Sequence, residues 1–168
     1  MKKIVVNLMM FVVVVAIIVV LLLAFGTDKG GKYVYKNNIE HKIIEIKPKE
    51  YHCSECNMDI EEMSYQAQAI MQNGDTHFFD DIGCVVLWLE KDKEGIARMA
   101  TKTLDTHHWV DPEKVWYTRI ANDPMGYGFA AYEIKKEGMI PYDKMKMLML
   151  QGKHLHDPFL KKKLFEKE

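Results

Sequence analysis

Cysteine is scarce in this chain, and the residue arrangements of common enzyme classes are missing. Only 3 cysteines occur among 168 residues, too few for a small scaffold held together by disulfides. A Ser/His/Asp arrangement and a glycine-rich phosphate loop are also lacking, so we predict no enzymatic activity. The formal net charge of -1 argues against nucleic acid as a partner, because such binding needs a basic surface.

The N-terminal segment lacks charge beyond its first residues. Residues 4–25 carry no charged side chain and are interrupted only by Asn7. Because a membrane-spanning helix needs about 20 apolar residues, residues 1–26 predict an uncleaved transmembrane anchor. Lys2 and Lys3 favour a cytoplasmic N-terminus. We therefore expect a single-pass protein of the inner membrane whose remaining chain faces the periplasm.

The rest of the chain predicts an α+β fold in which two small ββα-type halves form one soluble domain behind the N-terminal transmembrane helix. Its parts are a linker over residues 27–40, a domain over residues 41–152 and a charged tail over residues 153–168. The predicted strands cover residues 41–46, 65–72, 76–79, 102–110, 115–120 and 129–134. The predicted helices cover residues 82–93 and 142–150. Asn73-Gly74 predicts a type I′ turn between two of the strands.

Sulfur ligands are concentrated in the sequence Tyr-His-Cys-Ser-Glu-Cys-Asn-Met at residues 51–58. The thiols of Cys53 and Cys56 and the thioether of Met58 are soft donors that suit Cu(I). The Cys-x-x-Cys spacing is also compatible with half of a zinc site or with a thiol-disulfide exchange motif. The local sequence leaves all three interpretations open.

Other sulfur-bearing residues are harder to interpret from local pattern. Met125 lies in a Pro-Met-Gly turn, which can project it toward another loop or pack it over the end of a hairpin. Cys84 falls on the first helix and is interpreted as a buried, inert cysteine. Met145 and Met149 share one helix face while Met147 does not, a pattern that favours core packing over a metal site.

The ordered motifs together resemble the NosL family, the accessory copper proteins of nitrous oxide reductase. They are Cys-x-x-Cys-x-Met at residues 53–58, Gln-Ala-Gln-Ala-Ile, Phe-Phe-Asp-Asp-Ile-Gly-Cys at residues 78–84, Trp-Val-Asp, Val-Trp-Tyr, and Pro-Met-Gly-Tyr-Gly-Phe at residues 124–129. The resemblance covers roughly residues 51–152. Asn57 stands where the family usually has glycine, and Asn also tolerates a positive φ.

This resemblance implies a periplasmic Cu(I) chaperone that supplies copper to a client enzyme, nitrous oxide reductase in the first place, and exchanges it with other copper-transfer proteins. It implies Cys56, Met58 and Met125 as ligands, with Cys53 as an additional thiolate. The membrane would be contacted through residues 4–25. The alternatives are a membrane-tethered thiol-disulfide oxidoreductase that uses Cys53 and Cys56, and a domain with a structural zinc site.

Overall fold

The computed structural model describes residues 2–25, 32–91 and 95–166. Contacts between residues divide the chain into two units, Met1–Gly30 and Gly31–Glu168. Part of the predicted linker, residues 27–31, lies outside the described residues, as do residues 92–94 at the predicted end of the first domain helix.

The first unit contains helix α1, Lys2–Phe25. None of the helices in the described ranges is both long and apolar enough to cross a membrane, and this finding corrects the predicted transmembrane helix.

The second unit is an α+β domain, as predicted. Its strands are β1 (Val34–Tyr35), β2 (Ala67–Met71), β3 (Thr76–Phe79), β4 (Ile96–Lys102), β5 (Trp109–Val110), β6 (Trp116–Thr118), β7 (Ala130–Tyr132) and β8 (Ile140–Pro141). Its α-helices are α2 (Ile82–Leu89), α3 (Tyr142–Leu150) and α4 (Pro158–Phe165), and a 3-10 helix covers Pro112–Lys114.

Two antiparallel sheets organise these elements. The larger has the strand order β1-β3-β2-β4-β5 and the smaller the order β7-β6-β8. A hairpin followed by a helix is present in β2-β3-α2, and β6 and β7 pair before α3. The division into two ββα-type halves is nevertheless wrong in detail, because β4 and β5 follow α2 and then return to pair in the first sheet.

The core lies where the two sheets meet α2 and α3. The largest side chains with almost no exposure include Tyr117, Phe78, Phe79, Phe129 and Met145. On α3, Met145 and Met149 are buried while Met147 is 44% exposed. The helical face predicted for core packing is confirmed.

The β2–β3 connection differs from the predicted turn. Gly74 has φ +84, but Asn73 lacks the positive φ that a type I′ turn requires at both central positions. Instead, Gly74 N–H donates to the carbonyl of Met71, and Met71 N–H donates to the carbonyl of Asp75. This is the three-residue hairpin loop, a type I turn followed by a left-handed glycine.

Three other predicted elements also change. Residues 41–46 form no strand, because the side-chain amide of Gln68 takes the place of a ladder and bonds both the N–H and the carbonyl of Ile44. The predicted strand over residues 102–110 is interrupted by a turn in which His107 N–H donates to the carbonyl of Thr103. Helix α2 ends at Leu89, before the predicted position 93. The charged tail contains α4.

Candidate metal centre

The loop of residues 51–60 is folded back on itself so that both of its cysteines face inward. Cys53 N–H donates to the carbonyl of Met58 at 2.8 Å, and Asn57 N–H donates to the carbonyl of Cys53 at 3.0 Å. Asn57 has φ +62, a left-handed conformation that Asn tolerates better than most residues. Ser54 N–H donates to the carbonyl of Phe78, which ties the loop to β3.

The junction between β3 and α2 brings two more side chains to this loop. Asp81 caps α2, since its Oδ1 accepts a hydrogen bond of 2.5 Å from Gly83 N–H. Asp80, just before the cap, is therefore free to point toward the loop, and its Oδ2 lies 3.4 Å from Cys56 Sγ. Cys84 lies in the first turn of α2, four residues after Asp80.

Cys53, Cys56, Asp80 and Cys84 each offer one ligand atom, and these atoms all lie within 4.8 Å of one another. We call this group the Cys3Asp cluster. Three sulfurs around one metal ion at about 2.3 Å would lie roughly 4 Å apart, so shifts of an ångström or less would close the site. Asp80 Oδ1 is buried and has no hydrogen-bond partner among the described residues. The cluster can hold a metal ion.

The protonation of the cluster favours a metal ligand at Cys56. Hydrogen bonds from Cys53, then from Cys84, and a smaller one from the backbone of Met58 lower the pKa of Cys56 to about 4. The hydrogen bond with Cys53, then that with Cys56, and burial raise the pKa of the Cys84 thiol. At neutral pH Cys56 is therefore a thiolate and Cys84 keeps its proton. A thiolate is the form of cysteine that binds metals.

Asp80 responds to the same surroundings in the opposite sense. Burial, and then the proximity of Cys53, raise the pKa of Asp80 to about 6. The carboxyl group therefore holds a proton in mildly acid solution, where it can donate to the neighbouring Cys56 thiolate. Above this pH a second negative charge stands beside the thiolate, an arrangement that a bound cation would stabilise.

Of the two predicted methionine ligands, Met58 lines a surface cavity and Met125 directly follows a residue that lines it. Met58 is 46% exposed and lines a surface cavity together with Asp80 and Pro124. Met125 follows Pro124 directly and packs, half-buried, against the core. The Pro-Met-Gly turn and the loop of residues 51–60 thus reach the same cavity, although they are far apart in the sequence.

Hydrogen bonds hold the Pro-Met-Gly turn against α2. The carboxylate of Asp123 accepts from Tyr127 N–H at 2.8 Å and from Gly128 N–H at 2.6 Å. Asp81 is fully buried beside it, and burial followed by the hydrogen bond to Asp123 raises the pKa of Asp81 well above its ordinary value. The contact between Asp81 and Asp123 joins the turn that carries Met125 to the helix that carries Cys84.

The C-terminal segment supports the same turn from its other side. His156 Nε2 lies 2.7 Å from the carbonyl oxygen of Met125, and Leu155 N–H donates to the carbonyl of Tyr127. The rings of His154 and His156 each lie 5.0 Å from the ring of Tyr127. These two histidines of the charged tail make specific contacts with the turn in the structure.

The structure therefore joins Cys53 and Cys56 with two residues that sequence reasoning missed. Sequence reasoning interprets Cys84 as a buried, inert cysteine and assigns Asp80 no role as a ligand. The available signal was that Asp80 directly follows a predicted strand and Cys84 lies in the first turn of the next helix, so that both lie at one strand–helix junction. Comparisons with protein families, with curated proteins and with solved structures find no match for this chain.

Proposed function

We propose that this protein binds Cu(I) and delivers it to a client copper enzyme. The observation that carries the proposal is the convergence of three thiols in the Cys3Asp cluster beneath a surface cavity lined by Met58 and Pro124. Thiolate and thioether sulfurs are soft ligands that select Cu(I). The proposed sulfur donors are the thiols of Cys53, Cys56 and Cys84 in the cluster, together with the thioethers of Met58 and Met125.

Delivery requires that copper be held firmly and still be released. The thiolate at Cys56 is half-buried, and its neighbour Met58 is 46% exposed. An incoming ligand of a client can therefore attack from the cavity while the buried sulfurs still hold the ion. Ligand exchange of this kind needs no general base and no nucleophile. The resemblance to the NosL family supports nitrous oxide reductase as the client.

Zinc is the second candidate, and Asp80 is the observation that favours it. A carboxylate oxygen with three thiolates makes a tetrahedral ligand set that Zn²⁺ accepts, and Asp80 Oδ1 is buried without a hydrogen-bond partner among the described residues. A structural zinc ion contributes to folding outright, so its removal unfolds the domain. Copper cargo makes the opposite prediction, that the metal-free protein remains folded.

The proposal is tested by titrating the reduced, full-length protein anaerobically with Cu(I) against a chromogenic chelator. We expect Cys56→Ser to weaken Cu(I) binding by more than about 100-fold. Substitution of a residue that only contacts a metal ligand typically costs about 10- to 100-fold in metal affinity, and loss of the ligand itself should cost more. The double variant Met58→Leu/Met125→Leu should weaken it by a smaller factor. Met147→Leu is a matched control, since Met147 is 44% exposed and Met58 46%.

An unchanged Cu(I) affinity in Cys56→Ser would contradict the copper proposal. Circular dichroism of the chelator-treated wild type separates copper from structural zinc. Loss of the folded spectrum on metal removal would favour the zinc site.

A further inference from the structure

The sulfur ligands differ in depth, and this difference suggests two positions for one metal ion. Cys53 and Cys84 are both 0% exposed. Cys56 is half-buried, and Met58 is 46% exposed. The four sulfurs therefore form a series from the interior to the surface, with Cys56 between the buried pair and the exposed thioether.

The buried end of the series is held by fixed backbone. Cys84 belongs to the first turn of α2, which Asp81 caps. Cys53 is held by the bond from its own N–H to the carbonyl of Met58, and the next residue, Ser54, is bonded to β3. Three sulfurs already within 4.8 Å of one another need little movement to surround one ion, and rigid neighbours preserve that geometry.

The outer end of the series opens to solvent. Met58 and Pro124 line one cavity with Asp80, and Met125 stands next to Pro124 in a turn. An ion bound to Met58 here would leave a coordination site facing outward. Cys56 borders both ends, because its sulfur belongs to the Cys3Asp cluster while its carboxyl neighbour Asp80 lines the cavity.

We propose that Cu(I) occupies two positions that share Cys56, a conclusion that rests on the proposed function. The inner position is a trithiolate formed by Cys53, Cys56 and Cys84. The outer position is formed by Cys56 and by Met58, whose backbone N–H is already hydrogen-bonded to the Cys56 sulfur. The inner position sets the affinity, and the outer position sets the rate at which copper leaves. Copper remains Cu(I) throughout, and each thiol that binds it releases its proton to solvent.

Two measurements on the full-length, reduced protein separate these roles. The first is the equilibrium affinity for Cu(I), measured by competition with a chelator. The second is the rate at which excess chelator removes copper, measured by stopped flow. We expect Cys84→Ala to weaken the affinity by more than about 100-fold without slowing removal. We expect Met58→Leu to slow removal by about tenfold or more while the affinity changes far less, and Met147→Leu to alter neither quantity.

X-ray absorption at the copper edge gives a readout that does not depend on a variant. Wild type loaded with one equivalent of Cu(I) should show three sulfur neighbours at one distance and no oxygen or nitrogen neighbour. Cys84→Ala should lose this three-sulfur signature while circular dichroism shows a folded chain. If Cys84→Ala fails to fold, the wild-type spectrum alone decides.

Wild type that binds Cu(I) with two sulfur neighbours, or with an oxygen neighbour, would overturn the inner position. An unchanged affinity in folded Cys84→Ala would do the same, and equal removal rates for wild type and Met58→Leu would overturn the outer one. In each case the protein still binds copper, and the proposed function stands. Wild type that binds no Cu(I) at all would defeat the proposed function itself.

Discussion

Cys56 carries a negative charge in a half-buried place because its neighbours direct hydrogen bonds toward it. Those bonds, from Cys53, from Cys84 and from the backbone of Met58, lower its pKa to about 4, whereas an ordinary cysteine has a pKa of 9.0. The thiolate is thus present before any metal arrives. A metal ion can bind this sulfur at neutral pH without first displacing a proton.

The charge on Cys56 predicts an unusual pH dependence of alkylation. In the folded, metal-free chain the rate of its reaction with iodoacetamide should stay nearly constant from pH 8 down to about pH 5, because the thiolate persists until the pKa of about 4 is approached. Peptide mapping by mass spectrometry measures the rate at each cysteine. Cys53 and Cys84, which are fully buried, should react only after unfolding.

The same chain in denaturant is the control for this experiment. There the rate at Cys56 should fall about tenfold for each pH unit below the ordinary thiol pKa. A similar fall in the folded chain would show that the cluster does not stabilise the thiolate.

Sequence reasoning at this scale identified residues close together in the chain and missed those brought in by the fold. Cys53, Cys56 and Met58 lie within one short segment, so they can be recognised from the sequence as a group of sulfur ligands. Cys84 joins them only because the bond from Ser54 to Phe78 brings the loop to the end of β3. Asp80 belongs to the cluster because the adjacent Asp81 caps α2. The sequence does not show which of the two aspartates caps the helix.

At the scale of elements, the pair of Asp81 and Asp123 links α2 to the Pro-Met-Gly turn. Asp81 accepts from Gly83 N–H and is hydrogen-bonded to Asp123, which in turn accepts from two N–H groups of the turn. The close approach is visible at Gly83, where an added Cβ would lie 2.5 Å from the ring of Tyr127. Helix and turn are therefore positioned as one piece.

This pair predicts different outcomes for two substitutions of Asp81. Asp81→Asn should be well tolerated, since its amide can donate to Asp123 in place of the protonated Asp81 carboxyl group, and its oxygen can still cap α2. Asp81→Ala should lower the free energy of unfolding by about 1–2 kcal/mol, because the cap is lost. Urea unfolding of both metal-free variants measures the difference, and equal losses in both would contradict a hydrogen bond from protonated Asp81 to Asp123.

The raised pKa of Asp81 also fixes the sign of a pH effect. The folded chain holds this proton more tightly than the unfolded chain, so the stabilisation is complete at pH values below the ordinary carboxyl pKa and is lost as pH rises through the raised folded value. Asp81→Asn removes this contribution to the pH dependence. In urea unfolding, the free energy of unfolding should therefore fall more steeply with rising pH in wild type than in Asp81→Asn.

Helices and strands were predicted correctly where the residues of the segment itself determine its secondary structure. Helix α3 covers the predicted residues 142–150, because its apolar spacing and the preceding proline agree. The strand predicted over residues 41–46 failed because the Gln68 side chain, rather than a neighbouring strand, bonds Ile44. The strand predicted over residues 102–110 failed because strand-forming residues there enclose a turn in which His107 has φ +59.

For the whole molecule, the α+β class followed from the alternation of short strands and helices, whereas the sheet topology did not. The return of β4 and β5 to the first sheet depends on the pairing of β4 with β2, which no local pattern reveals. That pairing makes β2 a central strand, and its neighbour β3 leads directly into Asp80 and α2. The arrangement of the domain thus brings the cluster together from segments distant in sequence.

The most direct test of the account is the choice of metal by the intact, reduced chain. Equimolar Cu(I) and Zn²⁺ would be offered together under anaerobic conditions, and native mass spectrometry would identify the bound ion. Three soft thiols with two thioethers nearby should retain one Cu(I) per chain and exclude zinc. Retention of zinc instead, or of neither ion, would contradict the central claim that this is a copper-carrying sulfur site.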